Sequence, residues 1–275
     1  ECEKYALHVL DHPEPFDIYP TLGKLRHKVI EFCHQFKMWP PSVQQIEEIT
    51  DACHEENPEW KRDISAEFLK KTRKALAVLA SRSHLWPALD SILSVEGSGI
   101  PKEFRERIYD SEGFGVPVEV DVSVPWGLRG ILDIIYTKTE ERNGRTIRIC
   151  ATRDWKGSSG DYRWQARIYA LALWMIWPDF DEYQFEACFI TKNCQMKTYA
   201  FAQDDTLRAP KQDFELITDA YEKVVTLARR TIEIRKTRQG IPTPCDKCYR
   251  CPLKTTCLAY KIADARKRAK KAVAE

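Results

Sequence analysis

The sequence predicts an α/β fold in which a mixed central β-sheet is flanked by helices. Three observations predict this fold. Apolar residues recur at helical spacing through the first third of the chain. From about residue 115 the pattern changes to one in which apolar and polar residues alternate, which is typical of strands. A further helix, predicted over 161–177, separates the first strands from later ones, and this alternation is typical of an α/β sheet.

The N-terminal region is predicted to be helical. The predicted helices cover 21–36, 63–82 and, as a short element, 86–95. In the first, apolar residues recur from Leu22 to Phe36 at the spacing of one helix face. The Pro40-Pro41 pair ends this segment, and Ser42 is predicted to cap the next helix.

The strands follow from period-two patterns and turn residues. They are predicted over 116–124, 128–137, 145–155, 184–191 and 195–202. Pro117 predicts that the first strand starts at a sheet edge or just after this residue. Asn143-Gly144 predicts a tight hairpin turn. A long helix over 211–238 and a helical tail from Thr256 are predicted on either side of a linker at 241–245.

The composition limits the classes of function. The 275 residues carry 43 Lys+Arg against 41 Asp+Glu, a net charge of +2, so a nucleic-acid-binding surface requires local clusters of charge. Basic clusters occur at 61–74 and 266–271, and a solvated helix face is the alternative interpretation of both. There is neither an apolar run long enough for a membrane span nor a visible signal peptide, so a cytoplasmic protein without a membrane partner is expected.

Three motifs follow one another in the second half of the chain. Gly130-Ile131-Leu132-Asp133 places a carboxylate on one predicted strand, and Asp154-Trp155-Lys156 places a carboxylate and an ammonium on the next. Gln165 and Tyr169 then share one face of a helix. Carboxylates bind hard divalent cations, and an ammonium can stabilise charge on a phosphoryl group. This order of groups indicates hydrolysis of a phosphodiester at one edge of a sheet.

These motifs resemble the Gly-x-x-Asp, Asp-x-Lys and Gln-x-x-x-Tyr elements of the PD-(D/E)XK superfamily, in its RecB-like branch. The resemblance implies a restriction-endonuclease-like core and a binding site for Mg²⁺ or Mn²⁺. It implies that Asp133, Asp154 and the backbone carbonyl of Trp155 bind the metal. The catalytic residues that it implies are Asp133, Asp154, Lys156, Gln165 and Tyr169.

A fourth motif lies upstream on the first predicted helix. Gly23-x-x-x-His27 resembles the RecB-like element in which the histidine adds a metal ligand. Glu31, one turn after His27, is a second candidate. A packed or surface histidine is the alternative, because a lone histidine on an amphipathic helix is more often one of these.

The cysteines suggest a second metal centre. Cys248-x-x-Cys251-Pro-x-x-x-x-Cys257 resembles the C-terminal triplet of iron–sulfur RecB-like nucleases, which include AddB-type subunits and CRISPR-associated members. In these proteins the fourth ligand lies near the N-terminus, which here implies Cys2. Iron–sulfur clusters are normally bound by four thiolates. The resemblance therefore implies a 4Fe–4S cluster that joins the two ends of the chain.

Alternatives to this cluster remain open. Cys245 is an additional cysteine that could replace Cys2, and four such local cysteines would also suit zinc in an interaction module. Free structural thiols are a further alternative. Cys33 and Cys53 are minor alternatives for the remote ligand. The remaining cysteines are predicted to be small buried hydrophobic residues, namely Cys33, Cys53, Cys150, Cys188 and Cys194.

Together these features predict a Mg²⁺- or Mn²⁺-dependent DNA exonuclease acting on single-stranded DNA or DNA ends. One nuclease domain over 1–275 is predicted, with a helical region (1–95), a catalytic core (96–205) and a C-terminal helix with the cysteine cluster (206–275). A phosphate-binding Gly-Lys-Ser/Thr loop is absent from the sequence, so unwinding requires a helicase or recombination partner. The branch serves recombination, repair, phage replication or CRISPR spacer acquisition, and implies a bacterial, archaeal or phage protein. The alternative is a DNA-binding or scaffold subunit of a recombination or CRISPR-adaptation complex with secondary or endonucleolytic activity.

Overall fold

The computed structural model describes residues 18–108, 111–118, 127–157, 160–190, 193–208 and 212–237, with 239, 257, 259–262 and 264–265. The chain divides into two compact units, Asp17–Val225 and a second made of Glu1–Phe16 with Thr226–Glu275. The larger unit contains both sheets. None of the described helices is long and apolar enough to cross a membrane.

The larger unit begins with helices. These are α1 (Ile18–Gln35), α2 (Val43–Glu56), α3 (Pro58–Asp63) and α4 (Ala66–Ala80). The predicted cap at Ser42 is confirmed, because its side chain accepts the Gln45 backbone N–H while the Gln45 side chain accepts the Ser42 N–H. The helix predicted over 63–82 starts later, because Ser65 caps α4.

The described strands form two sheets. Their bounds are β1 (Ile92–Val95), β2 (Arg105–Ile108), β3 (Ser111–Pro117), β4 (Gly127–Gly130), β5 (Ile134–Arg142), β6 (Arg145–Lys156), β7 (Glu182–Phe189), β8 (Gln195–Ala202) and β9 (Asp213–Leu216). Within the described residues, six strands form a mixed sheet in the order β1-β5-β6-β7-β8-β9, and β2-β3-β4 form an antiparallel one. The pairs β6/β7 and β8/β9 are parallel. A mixed sheet flanked by helices is the predicted fold class.

The central strand β6 is covered on both faces. Ile147 and Ile149 pack into the main hydrophobic cluster with residues of α1, α2 and α4. Because side chains alternate along a strand, Thr152 and Asp154 lie on the opposite face. That face is approached by α5 (Arg163–Ile176), which provides the crossover that the parallel strands β6 and β7 require. Because both faces are covered, this strand is buried without a break from Ile149 to Trp155.

The prediction of a short helix over 86–95 is wrong. Two 3-10 turns, Ser83–Leu85 and Leu89–Ser91, precede β1, which pairs with the start of β5. Val95 lies opposite Ile134 in this ladder. Pairing with a strand so distant in sequence, and not local propensity, decides the conformation of these residues.

The strand predicted over 116–124 is displaced. β3 starts at Ser111 and ends at Pro117, so this proline ends the strand and does not begin it. Residues 119–126 lie outside the described part of the chain. The predicted Asn143-Gly144 turn is confirmed, because both residues have positive φ values of 52° and 72° between the antiparallel strands β5 and β6.

Two other predicted elements are divided. The strand predicted over 128–137 is two strands, β4 and β5, which belong to different sheets and are separated by residues 131–133. The helix predicted over 211–238 begins only at α6 (Ile217–Thr237), because β9 pairs with β8. In both cases a non-local strand partner outweighs the local pattern.

Candidate active site

Asp133 lies where the chain passes from the small sheet to the large one. Gly130 ends β4 and Ile134 begins β5, so Asp133 is the last residue of a short connection. The backbone N–H of Trp155 donates a hydrogen bond to Asp133 Oδ2 at 2.9 Å. The backbone N–H of Glu96 donates to the Asp133 carbonyl, also at 2.9 Å. The buried carboxylate is thereby fixed through both its side chain and its backbone.

Asp154 and Lys156 lie on one face at the end of β6, because they are two residues apart on a strand. Lys156 Nζ lies 2.5 Å from Asp154 Oδ2. Gln165, in the first turn of α5, donates its amide to the same oxygen at 2.7 Å. The predicted aspartate, lysine and glutamine side chains therefore meet at one carboxylate oxygen.

Tyr169 contacts a different part of the site. Its hydroxyl group donates to the backbone carbonyl of Ile131 at 2.8 Å. Its ring packs edge-on against Phe114, with 6.0 Å between the ring centres. Tyr169 therefore holds the connection that leads to Asp133.

His27 completes a cluster of possible metal ligands. Its Nδ1 lies 2.9 Å from Glu96 Oε1 and 3.1 Å from Asp133 Oδ1. The ligand atoms of these three residues all lie within 4.8 Å of one another. Imidazole and carboxylate groups at such spacing suit a divalent cation such as Mg²⁺ or Mn²⁺.

Glu96 is the residue of this cluster that the sequence did not predict. It directly follows β1 and the segment 86–95 that was predicted as a helix, and it has a positive φ of 48°. Positive φ is uncommon for a residue other than glycine and is concentrated at functional sites. Glu31, the second sequence candidate on α1, instead pairs with Lys28 at 2.9 Å and accepts the Gln35 amide at 3.0 Å.

The electrostatics of the site favour a cation. Burial raises the pKa of Asp154 to about 7, and the nearby Asp133 carboxylate adds to this effect although Lys156 and His27 oppose it. Burial alone would lower the pKa of His27, but Asp133 and Glu96 raise it well above its ordinary value. The raised pKa values of Asp154 and His27 mean that this group of carboxylates favours bound protons, and a divalent cation can take the place of those protons.

Half of the six basic residues in the cluster at 61–74 pair with neighbouring carboxylates. Arg62 pairs with Asp63, and Lys71 with Glu67 one turn earlier on α4. Arg73 pairs with Asp51 of α2. This favours the interpretation as a solvated helix face. The second cluster, 266–271, lies outside the described residues.

The predicted iron–sulfur ligands lie mostly outside the described residues. Cys257 is described, half-buried and with a free thiol, whereas Cys2, Cys245, Cys248 and Cys251 are not described. The alternatives Cys33 and Cys53 are buried in the core of α1 and α2. Burial raises the pKa of the Cys33 thiol to about 12 and that of Cys53 to about 11. Such thiols behave as small hydrophobic groups.

Comparison with known proteins identifies the family. The model of the PD-(D/E)XK nuclease superfamily matches residues 3–258, and the chain therefore belongs to this superfamily, whose members use divalent metals. No curated protein matches the chain. One solved structure, titled "Crystal structure of SSO0001", shares 13% identity over 94% of this chain and 93% of that chain, with a TM-score of 0.33. A similarity this low indicates nothing about function.

Proposed function

We propose that the chain is a divalent-metal-dependent deoxyribonuclease that acts as an exonuclease on single-stranded DNA or DNA ends. The observation that supports this best is the convergence of Asp133, Asp154 and Lys156 beside His27, in a chain of a nuclease superfamily. The preference for ends comes from the resemblance to the RecB-like branch. Recombination or repair alongside a helicase is the corresponding cellular role.

The ligands of the proposed cation are His27, Glu96, Asp133, Asp154 and the carbonyl of Trp155. In an antiparallel ladder the N–H and C=O of one residue face the same neighbour. Because the Trp155 N–H donates to Asp133, its carbonyl is expected on that side too. A bound divalent cation supplies charge neutralisation at the phosphodiester and a more acidic water molecule.

Lys156 is the proposed catalytic ammonium. Asp154 fixes its Nζ, and the Tyr162 ring lies 4.9 Å from that nitrogen. Gln165 in turn fixes Asp154 by donating to it. Placed this way, Lys156 can donate a hydrogen bond to the attacking water or to a phosphoryl oxygen as negative charge develops there.

The proposal extends to the two chain ends. Cys2, Cys248, Cys251 and Cys257 would bind a 4Fe–4S cluster, with Cys245 as the alternative to Cys2. The support is the spacing of the cysteines in the sequence. Such a cluster would close a loop of almost the whole chain and so reduce the entropy of its unfolded state.

The test is digestion of end-labelled single- and double-stranded DNA with Mg²⁺ or Mn²⁺. We expect metal-dependent release of labelled nucleotides, reduced about 10²–10³-fold in Lys156→Ala, by analogy with loss of one oxyanion donor. Lys223→Ala is the matched control, because Lys223 is an exposed lysine on α6 that pairs with Glu215 at 2.5 Å. It should retain full activity.

Two results would count against the proposal. Equal digestion by the Lys156→Ala and wild-type proteins would overturn the role of Lys156. Digestion of closed circular DNA as fast as linear DNA would overturn the exonuclease assignment while leaving a nuclease.

A further inference from the structure

Arg26 reaches the active site from α1. It directly precedes His27, and its helix is held in place by fully buried neighbours, namely Leu25, Val29 and Ile30. A Cβ atom added to Gly157 would lie only 2.9 Å from Arg26 Nη1. The guanidinium therefore occupies the space that a side chain at residue 157 would fill. Because Gly157 directly follows Lys156, Arg26 lies beside the end of β6.

The Arg26 side chain is partly buried. Within the described part of the chain no acidic side chain pairs with it, and its buried Nε has no hydrogen-bond partner. By contrast, Arg153 pairs with Glu186 at 2.5 Å and Arg167 with Glu215 at 2.9 Å.

The nearest carboxylates of the site are already engaged. Asp154 accepts from Lys156 and Gln165, and Asp133 accepts from the Trp155 N–H and contacts His27. Burying a charge without an acceptor costs free energy. The missing acceptor of Arg26 is therefore expected to come from a bound molecule.

We propose that Arg26 binds a phosphate group of the DNA strand beside the scissile phosphodiester, an inference that rests on the proposed nuclease function. A guanidinium binds two phosphate oxygens at once through its planar fork of donors. Gly157 leaves the fork room to lie beside the end of β6. The DNA strand whose phosphodiester lies beside Lys156 would then be bound from α1 as well as from β6, which makes Arg26 a substrate-binding residue.

The test measures DNA binding without cleavage. A fluorescent single-stranded oligonucleotide is titrated with Lys156→Ala protein, with and without the added Arg26→Ala change, at several salt concentrations. We expect Arg26→Ala to weaken binding about tenfold, as for one charged hydrogen bond. We also expect it to reduce the slope of log affinity against log salt by about 0.7, the value for one phosphate contact on a single strand.

A matched arginine provides the control. Arg148 lies on the same strand as Lys156 but eight residues earlier, about 26 Å away at strand spacing. It is exposed and pairs with Asp181. In the same background, Arg148→Ala should leave the affinity and the salt slope unchanged.

Thermal melting separates binding from a structural role. Because Arg26→Ala removes a partly buried charge with which no described acidic side chain pairs, we expect its Tm to equal or exceed that of the parent protein. A lower Tm together with unchanged affinity and salt slope would overturn the inference. Arg26→Gln, neutral and of similar shape, gives the same comparison if the alanine variant does not fold.

The two proposals fail in different ways. A wild-type protein that cleaves DNA, together with an Arg26 variant of unchanged affinity, salt slope and KM, would overturn the role of Arg26 alone. A wild-type protein that neither binds nor cleaves DNA would overturn both.

Discussion

The hydroxyl group of Tyr169 donates a hydrogen bond to the backbone carbonyl of Ile131 at 2.8 Å. Ile131 lies two residues before Asp133, on the connection between the two sheets. From α5, Tyr169 thus holds the backbone that carries a proposed metal ligand. The sequence motif predicts contact with the substrate, whereas this geometry favours a positioning role.

Replacing Tyr169 by phenylalanine tests that role. A single intramolecular hydrogen bond contributes about 1 kcal/mol, so we expect kcat to fall about fivefold while KM stays constant. Tyr183→Phe is the matched control, because the Tyr183 hydroxyl donates to the Trp177 carbonyl at 3.0 Å, away from the site residues. It should lower stability by a similar amount and leave kcat unchanged. Equal loss of kcat in both variants would contradict the positioning role.

The raised pKa of Asp154 predicts that the stability of the protein depends on pH when divalent cations are absent. Its pKa rises from an ordinary 3.8 to about 7 in the folded protein. Between these values the folded state holds a proton that the unfolded state releases, so the stability contributed by this group is lost as the pH rises through about 7. We therefore expect Asp154→Asn to melt above the wild type in EDTA, by more at pH 8 than at pH 5.

Melting curves at the two pH values provide the measurement. Asp161→Asn is a suitable control, because the Asp161 side chain is 70% exposed. Its Tm difference from the wild type should be small at both values. An Asp154→Asn protein that melts below the wild type at pH 8 would show that the carboxylate is not destabilised by burial.

The raised pKa of His27 predicts that metal binding releases a proton. Asp133 and Glu96 raise its pKa well above the ordinary value against the effect of burial, so the imidazole keeps its proton to a higher pH than an ordinary histidine does. A metal binds only the neutral imidazole, and the affinity for Mn²⁺ should fall as the pH is lowered from about 8 to about 6. Calorimetry in buffers of different ionisation enthalpy measures the released proton directly.

Removing the imidazole gives the matched comparison. His27→Ala should weaken Mn²⁺ binding by about tenfold or more, as changes around metal ligands do, and should abolish the proton release. His84→Ala, at an exposed position, should change neither. Undiminished proton release in His27→Ala would assign the proton to another group.

Cys257 tests the proposed iron–sulfur cluster. We expect purified wild-type protein to be brown, and Cys257→Ala to lose iron and to melt at a lower temperature, because the two chain ends are released. Cys53→Ala should keep its iron, because that buried cysteine belongs to α2 and not to the predicted cluster. A colourless wild-type protein that contains zinc would favour the local four-cysteine alternative. Unchanged iron content and Tm in Cys257→Ala would contradict the proposed cluster.

The sequence predicts the parts of the site whose residues lie close together in the chain. The spacing of Asp154, Lys156 and Gln165 is set by a strand and the helix after it, and the structure brings these three together. Glu96 escaped prediction because β1 depends on pairing with β5, about forty residues later. That no acidic side chain of the described residues pairs with Arg26 is likewise a property of three-dimensional packing, which a local sequence pattern does not record.

The connection at Asp133 has a mechanical consequence. β3 and β4 of the small sheet pack against α5. β4 ends at Gly130, and after residues 131–133 the chain enters the large sheet at Ile134. Because only three residues separate the two sheets, the position of Asp133 depends on where the small sheet lies. The small sheet therefore influences the geometry of the site. Substitutions within it are expected to alter turnover even at positions that do not contact the DNA.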